Sequence, residues 1–148
     1  MPVIRVASTD DLAHVHKIEI GSYPDPWPRS IFYLMHGRGP ELFLVADKGG
    51  EVIGYIVGEI ELRDNDKVGH VLNIAVTESQ QRKGFADALI DELENRFKDR
   101  GVKISYLEVR LGNTAAQNLY QKHGYHEVGL LPHYYRTEDG IAMEKPLF

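Results

Sequence analysis

The chain has 148 residues, 43% hydrophobic and 26% charged, with a net charge of −5 at pH 7 and no cysteine. That length and composition suit one soluble globular domain spanning residues 1–148, and the missing cysteine excludes disulfides, thiolate metal sites and a cysteine nucleophile. The acidic balance argues against nucleic acid as the main partner, and no apolar run reaches the roughly 18 residues that a membrane helix needs. Met1-Pro2-Val3-Ile4-Arg5 lacks the basic-then-apolar pattern of a signal peptide, so a cytoplasmic location is expected.

Val3 to Ala7 reads as a short strand, followed by Ser8-Thr9-Asp10-Asp11, a capping-box-like helix start. Leu12, Val15 and Ile18 then recur at helical spacing. Gly21 to Pro28 holds three prolines, which prohibit regular structure there. A short helix from about Arg29 to His36 is expected next, ending at Gly37. Glu41 to Asp47 and Glu51 to Leu62 read as strands joined through Lys48-Gly49-Gly50. Alternation along the second puts Val52, Ile56 and Ile60 on one face and Tyr55, Glu59 and Glu61 on the other. After a polar turn at Arg63 to Asp66, Val68 to Val76 forms a further strand, so an antiparallel meander is expected.

The period then changes. Ala86, Leu89, Ile90, Leu93 and Phe97 define a long helix with Gly101 as its C′ residue. Lys103 to Arg110 is a strand, and Asn113 caps a helix from Thr114 to His123 that Gly124 stops. Tyr125 to Leu130 and Ile141 to Leu147 are the last strands. Strand, helix, strand implies a parallel crossover added to the meander, and so a mixed α/β sheet.

Two places carry possible chemistry. Gln81-Arg82-Lys83-Gly84-Phe85-Ala86 lies between a strand and the long helix. The first amides of that helix lack intrahelical partners and sit at its positive end, which suits a diphosphate. The competing reading is an ordinary turn with a solvated basic pair. The turn has neither a P-loop ending nor the three spaced glycines of a dinucleotide fold. Glu108, on the next strand, is costly to bury without a partner; taken alone, it reads first as an ion pair with Arg110 or with a residue on a neighbouring strand. Tyr120 shares a helix face with Ala116 and Leu119 and reads as core packing with a hydrogen-bonded hydroxyl. His70 opens a strand and is either structural or a base near neutral pH. His123, His126 and His133 are scattered and receive no role.

The order of Gly69-His70-Val71-Leu72-Asn73-Ile74-Ala75-Val76, the glycine turn, Leu107-Glu108-Val109-Arg110, Asn113 to Ala116, Leu119-Tyr120 and His133-Tyr134-Tyr135 resembles the GCN5-related N-acetyltransferases (GNAT). Within them it is most similar to RimI-type and archaeal NatA-type protein N-terminal acetyltransferases, strongly from Gly69 to Pro146 and moderately before. The resemblance implies a mixed, mostly antiparallel sheet of about seven strands with four helices, splayed between the fourth and fifth strands. It implies acetyl-CoA as co-substrate, no metal, and protein N-termini as acceptors, with ribosome association or an auxiliary subunit as further expectations. Main-chain groups of Ile74, Ala75 and Val76 would pair with pantetheine. Amides of Arg82, Lys83, Gly84, Phe85, Ala86 and Asp87 would hold the pyrophosphate, with Asn113 and Tyr120 also on the cofactor. Glu108 would be the base, Tyr120 the acid, and His70 an assisting base. Tyr23, Pro24, Asp25, Tyr134 and Tyr135 would clamp the peptide, although Tyr23-Pro24-Asp25 stands where NatA-type subunits carry Leu-Pro-Glu. A small amine or lysine side chain as acceptor, and a non-catalytic acyl-CoA-binding module, are the alternatives.

Overall fold

A computed structural model describes residues 2–148. The strands are β1 (Val3–Val6), β2 (Phe43–Lys48), β3 (Glu51–Arg63), β4 (Asp66–Val76), β5 (Ile104–Arg110), β6 (His126–Leu131) and β7 (Gly140–Pro146). The helices are α1 (Leu12–Ser22), α2 (Arg29–Arg38), α3 (Phe85–Asp99) and α4 (Thr114–Lys122). One sheet runs in the order β1-β2-β3-β4-β5-β7-β6. Among the described residues only β4 and β5 pair in parallel, because α3 carries the chain back across the sheet between them. The mixed sheet and four helices agree with the expected GNAT fold.

Local chemistry explains most boundaries. Asp64 and Asn65, with φ of 52° and 71°, make the tight turn that joins β3 to β4, since a two-residue hairpin loop matches strand twist when both residues are left-handed. The Ser8 amide donates to Asp11 Oδ2 at 2.8 Å, the reciprocal half of a capping box. The α2 helix passes through Gly37 and ends at Gly39, whose amide reaches the Met35 carbonyl at 3.1 Å, two residues beyond the expected stop. Strand β2 begins only at Phe43, because Pro40–Leu42 forms a 3₁₀ turn.

The sheet separates two cores. Leu89, Ile90, Leu93 and Phe97 of α3 pack with Leu44, Ile53, Ile56, Val71 and Leu107 on one face. Leu12, Val15 and Ile18 of α1 and Phe32 of α2 pack with Phe43, Val45, Val52, Tyr55 and Val57 on the other. Val52 therefore lies opposite Ile56, not beside it as strict alternation predicts. Between Ala46/Gly54 and Asp47/Val52 the pairing skips Ile53; this bulge inserts one residue and reverses the faces before it. Among the described residues no helix is long and apolar enough to cross a membrane.

A second bulge positions the site. Val57 pairs with Asn73 but Gly58 pairs with Val71, so Leu72 is the extra residue on β4. Leu72 packs in the α1-side core and Asn73 reaches Glu19 of α1, two consecutive side chains on one face. At the same level β4 leaves β5. Their pairing runs from Val68/Ile104 to Val71/Leu107 and stops, while β5 stays paired with β7 as far as Arg110/Gly140. The fourth and fifth strands are splayed, as the resemblance implied.

Candidate active site

Beyond Val71 the side of β4 that faced β5 has no strand partner. The carbonyl of Ile74 instead accepts the Tyr23 hydroxyl, and that of Val76 accepts Gln81 Nε2 at 2.9 Å. Both residues thus turn their main chain into the gap, and their N–H groups point the same way, because a strand residue presents both groups to one edge. Ala75, between them, faces β3.

Two cavities meet at this gap. One, of about 710 Å³, is lined by Ile74, Ala75, Val76, the Gln81–Arg82 turn, Gly84 to Asp87 and the face of α4. Gly84 adopts φ 88° and caps α3 without a side-chain bond, so the first helix amides stay available to an anion. Arg82 is also left-handed, with φ 64°. Lys83 lies off this lining and its Nζ approaches Gln80 Oε1 at 3.4 Å. The Asp87 carboxylate is tied to α4 through Lys122 Nζ at 2.9 Å and His123 Nε2 at 2.7 Å; sequence reading gave His123 no role. Asn113 lines both cavities and caps α4 by accepting the Ala116 amide at 3.1 Å.

The other cavity, about 670 Å³, lies toward the α1–α2 and β6–β7 loops, and Glu108 and Asn73 line it. Tyr23, Ile74, Asn113, Ala116 and Tyr120 line both cavities, so these residues stand at the boundary between them. Tyr120 is 6% exposed. Burial, with Tyr23, Tyr125 and Tyr135 nearby, raises its hydroxyl well above the ordinary tyrosine range, which keeps the proton on the oxygen.

Glu108 is held by His70 from the neighbouring strand, not by Arg110. His70 Nε2 lies 2.7 Å from Glu108 Oε1, and its Nδ1 lies 2.8 Å from Glu61 Oε2. The ring stacks on Tyr106 at 4.1 Å, and the Tyr106 hydroxyl donates to Glu61 Oε1 at 2.5 Å. Burial disfavours the imidazolium, but the bonds to Glu108 and Glu61 outweigh it and raise the His70 pKa above its usual value. His70 itself stands behind Glu108 and does not line the cavity.

Loops form the outer wall. Arg110 lies over the Tyr135 ring at 4.3 Å, and Tyr134 packs edge-on against Tyr135 at 5.0 Å. Asp25 is ion-paired with Arg136 at 2.9 Å, joining the α1–α2 loop to the β6–β7 loop, and its buried Oδ2 has Arg110 at 3.5 Å but no hydrogen-bond partner. All five expected peptide-clamp residues, Tyr23, Pro24, Asp25, Tyr134 and Tyr135, line this cavity.

Glu19 escaped sequence reading. It is 1% exposed, and its carboxylate accepts the Tyr55 hydroxyl, Asn73 Nδ2 at 2.8 Å and the Trp27 amide at 2.8 Å. The signal was a carboxylate four residues after Val15, on the apolar stripe of α1.

A parallel strand pair that parts midway, with an uncapped helix N-terminus on one side and a hydrogen-bonded carboxylate on the other, is the architecture of acyltransferases that seat a pantetheine arm. Residues 12–125 match the model of the acetyltransferase (GNAT) family, and the chain belongs to that family. It is 37% identical to an N-alpha-acetyltransferase of Sulfurisphaera tokodaii over 97% of this chain and 92% of the relative. The crystal structure of Ard1 from Thermoplasma volcanium superposes with a TM-score of 0.93 at 28% identity, covering 99% of this chain and 98% of Ard1. The ribosomal-protein-S18-alanine N-acetyltransferase of Escherichia coli superposes with a TM-score of 0.87 at 30% identity, covering 99% and 94%.

Proposed function

We propose that this protein, acting as a single catalytic domain in the cytoplasm, transfers acetyl from acetyl-CoA to the α-amino group at protein N-termini. The observation that carries the reading is the meeting of two cavities in the β4–β5 splay, with Glu108 in one and the free amides of α3 in the other. One cavity has main-chain donors and a helix N-terminus, as an extended amide-bearing arm ending in a diphosphate requires. The other is walled by tyrosines from two loops, as a peptide main chain requires. Relatives named for N-alpha-acetylation and for the alanine of ribosomal protein S18 support the same acceptor. Meeting nascent chains at the ribosome, alone or with an auxiliary subunit, belongs to this reading.

Acetyl-CoA supplies an activated thioester; the chain's own residues do the rest. Ile74 and Val76 hold the arm along the open edge of β4, and Arg82, Gly84 to Asp87 and Asn113 hold its far end. The Val76 amide polarises the reacting carbonyl. Tyr23, Pro24, Asp25, Tyr134 and Tyr135 orient the peptide. Its α-ammonium has a reference pKa near ~8, so a modest base suffices. Glu108 takes the proton, backed by His70, and Tyr120 gives a proton to the departing sulfur. Each proton transfer contributes ~10²–10⁴-fold, and holding both substrates together contributes effective concentrations of ~10⁵–10⁸ M.

The test is a peptide with a free α-amine and an internal lysine, incubated with acetyl-CoA and sequenced by tandem mass spectrometry. Acetyl is expected on the α-nitrogen. Modification of lysine alone, or of small amines only, would assign a different acceptor, and no turnover of any amine would leave a binding module.

A further inference from the structure

Glu61 takes no part in the mechanism above, yet it is bonded into the base. Its Oε2 meets His70 Nδ1 at 2.8 Å while the other ring nitrogen meets Glu108 at 2.7 Å. Tyr106 fixes its second oxygen at 2.5 Å. Carboxylates carry no hydrogen of their own to donate when ionised, so both short contacts are satisfied together only when the ring bears a proton on each nitrogen. The ring is stacked against Tyr106 and the assembly is over-determined: neither nitrogen can turn away without losing a carboxylate.

We propose that Glu61 is a positioning residue for the base: it binds the Nδ1–H of His70 and keeps Nε2 aimed at Glu108, so that Glu108 and the imidazole share the proton taken from the substrate's α-ammonium. This rests on the reading of Glu108 as the base. In the transfer, the ammonium N–H bond breaks and an O–H bond forms on Glu108. Above the His70 pKa the ring is neutral, with Nδ1–H kept on Glu61 and Nε2 unprotonated; the proton passes to that Nε2, giving the imidazolium that both contacts require. It returns by way of Glu108 to solvent once the acetylated peptide has left. The arrangement is that of a carboxylate orienting a histidine and stabilising its charged form, extended by a second carboxylate on the substrate side.

Other charges face this group. Glu59 neighbours Glu61 on β3 and is paired with Arg38 of α2 at 2.6 Å. Arg63 of β3 lies over Tyr106 at 4.9 Å and is paired with Glu144 of β7 at 3.1 Å. Tyr134, from the β6–β7 loop, feels the negative charge of Glu108 and Glu61. The two cations thus have carboxylate partners outside the trio, and Glu61 is the charge in direct contact with Nδ1. Loss of that charge makes the imidazolium harder to form.

The experiment compares Glu61→Gln and Glu61→Asp with the parent. Glutamine keeps an acceptor oxygen and loses the charge; aspartate keeps the charge. In Glu61→Gln the acid limb of the kcat/KM profile is expected to move to lower pH and plateau kcat to fall about tenfold or more, with the KM for acetyl-CoA unchanged. The His70 titration, followed by NMR without substrate, is expected to move the same way. Glu61→Asp is expected to retain the parental limb. A limb and a His70 titration both unmoved by glutamine, or aspartate as impaired as glutamine, would overturn the proposal. Glu108→Gln separates the two readings: if it turns over at the parental rate, the base assignment itself is wrong. If it is slow while Glu61→Gln behaves as the parent, only the role of Glu61 falls.

Discussion

Asp25 and Arg136 meet at 2.9 Å across the mouth of the α1–α2 and β6–β7 loops, and Asp25 also pairs at 3.5 Å with Arg110, so the shorter of its two ion pairs joins the two walls of the outer cavity directly. Arg136 is 82% exposed in its side chain, and exposed pairs are weak and salt-sensitive. Arg136→Ala is expected to change the KM for peptide a few-fold and leave kcat and the KM for acetyl-CoA near parental values. Added salt should reproduce the effect in the parent but not in the variant. Steady-state kinetics at two ionic strengths checks it.

The raised pKa of His70 also makes stability depend on pH. A histidine whose folded value exceeds the unfolded one, near ~6.5, stabilises the fold fully below that value, and the contribution is lost as pH rises through the folded value. His70→Gln should therefore cost more stability near pH ~6 than near pH ~9, while the carboxylates remain ionised. Denaturant titrations of both proteins at the two pH values give the comparison.

Much of this was legible in the sequence. The α3 stripe, the Asn113 cap, the glycine turn and the order of the motifs each follow from residue type and spacing. What spacing cannot supply is register. Glu61 and His70 are nine residues apart around a hairpin, and their contact depends on how β3 pairs with β4. The Ile53 and Leu72 bulges likewise reverse side-chain alternation, and Gly54 beside the first and Gly58 across from the second are a signal that fixes neither the bulged residue nor its strand. Arg136 and Asp25 meet only because the sheet order brings β6–β7 beside the α1–α2 loop.

Close packing behind the site gives a stability prediction. A Cβ on Gly69 would sit 2.5 Å from the Phe97 ring of α3, and Phe97 is fully buried. Gly69→Ala should destabilise the protein by about 1–3 kcal/mol, the usual range for overpacking. Gly37→Ala is the control, since nothing lies near its added methyl and the helix gains propensity. Thermal unfolding of the pair decides it.

Gly84 makes the opposite case. A Cβ there meets nothing, yet φ is 88°, a conformation that costs an L-residue about 1–2 kcal/mol. Gly84→Ala should disturb the first amides of α3 and raise the KM for acetyl-CoA severalfold. Peptide KM should be little affected. A variant whose peptide KM rises instead would place the cosubstrate elsewhere.

Acetyl-CoA and the peptide are expected to meet where β4 leaves β5, each in one of the two cavities. A conjugate in which one acetyl bridge joins the sulfur of coenzyme A to a peptide's α-nitrogen tests it directly by calorimetry. Occupying both cavities at once should make the conjugate bind roughly a hundredfold or more tighter than coenzyme A alone, and compete with both substrates. A conjugate that binds no tighter than coenzyme A, and leaves peptide binding untouched, would contradict it.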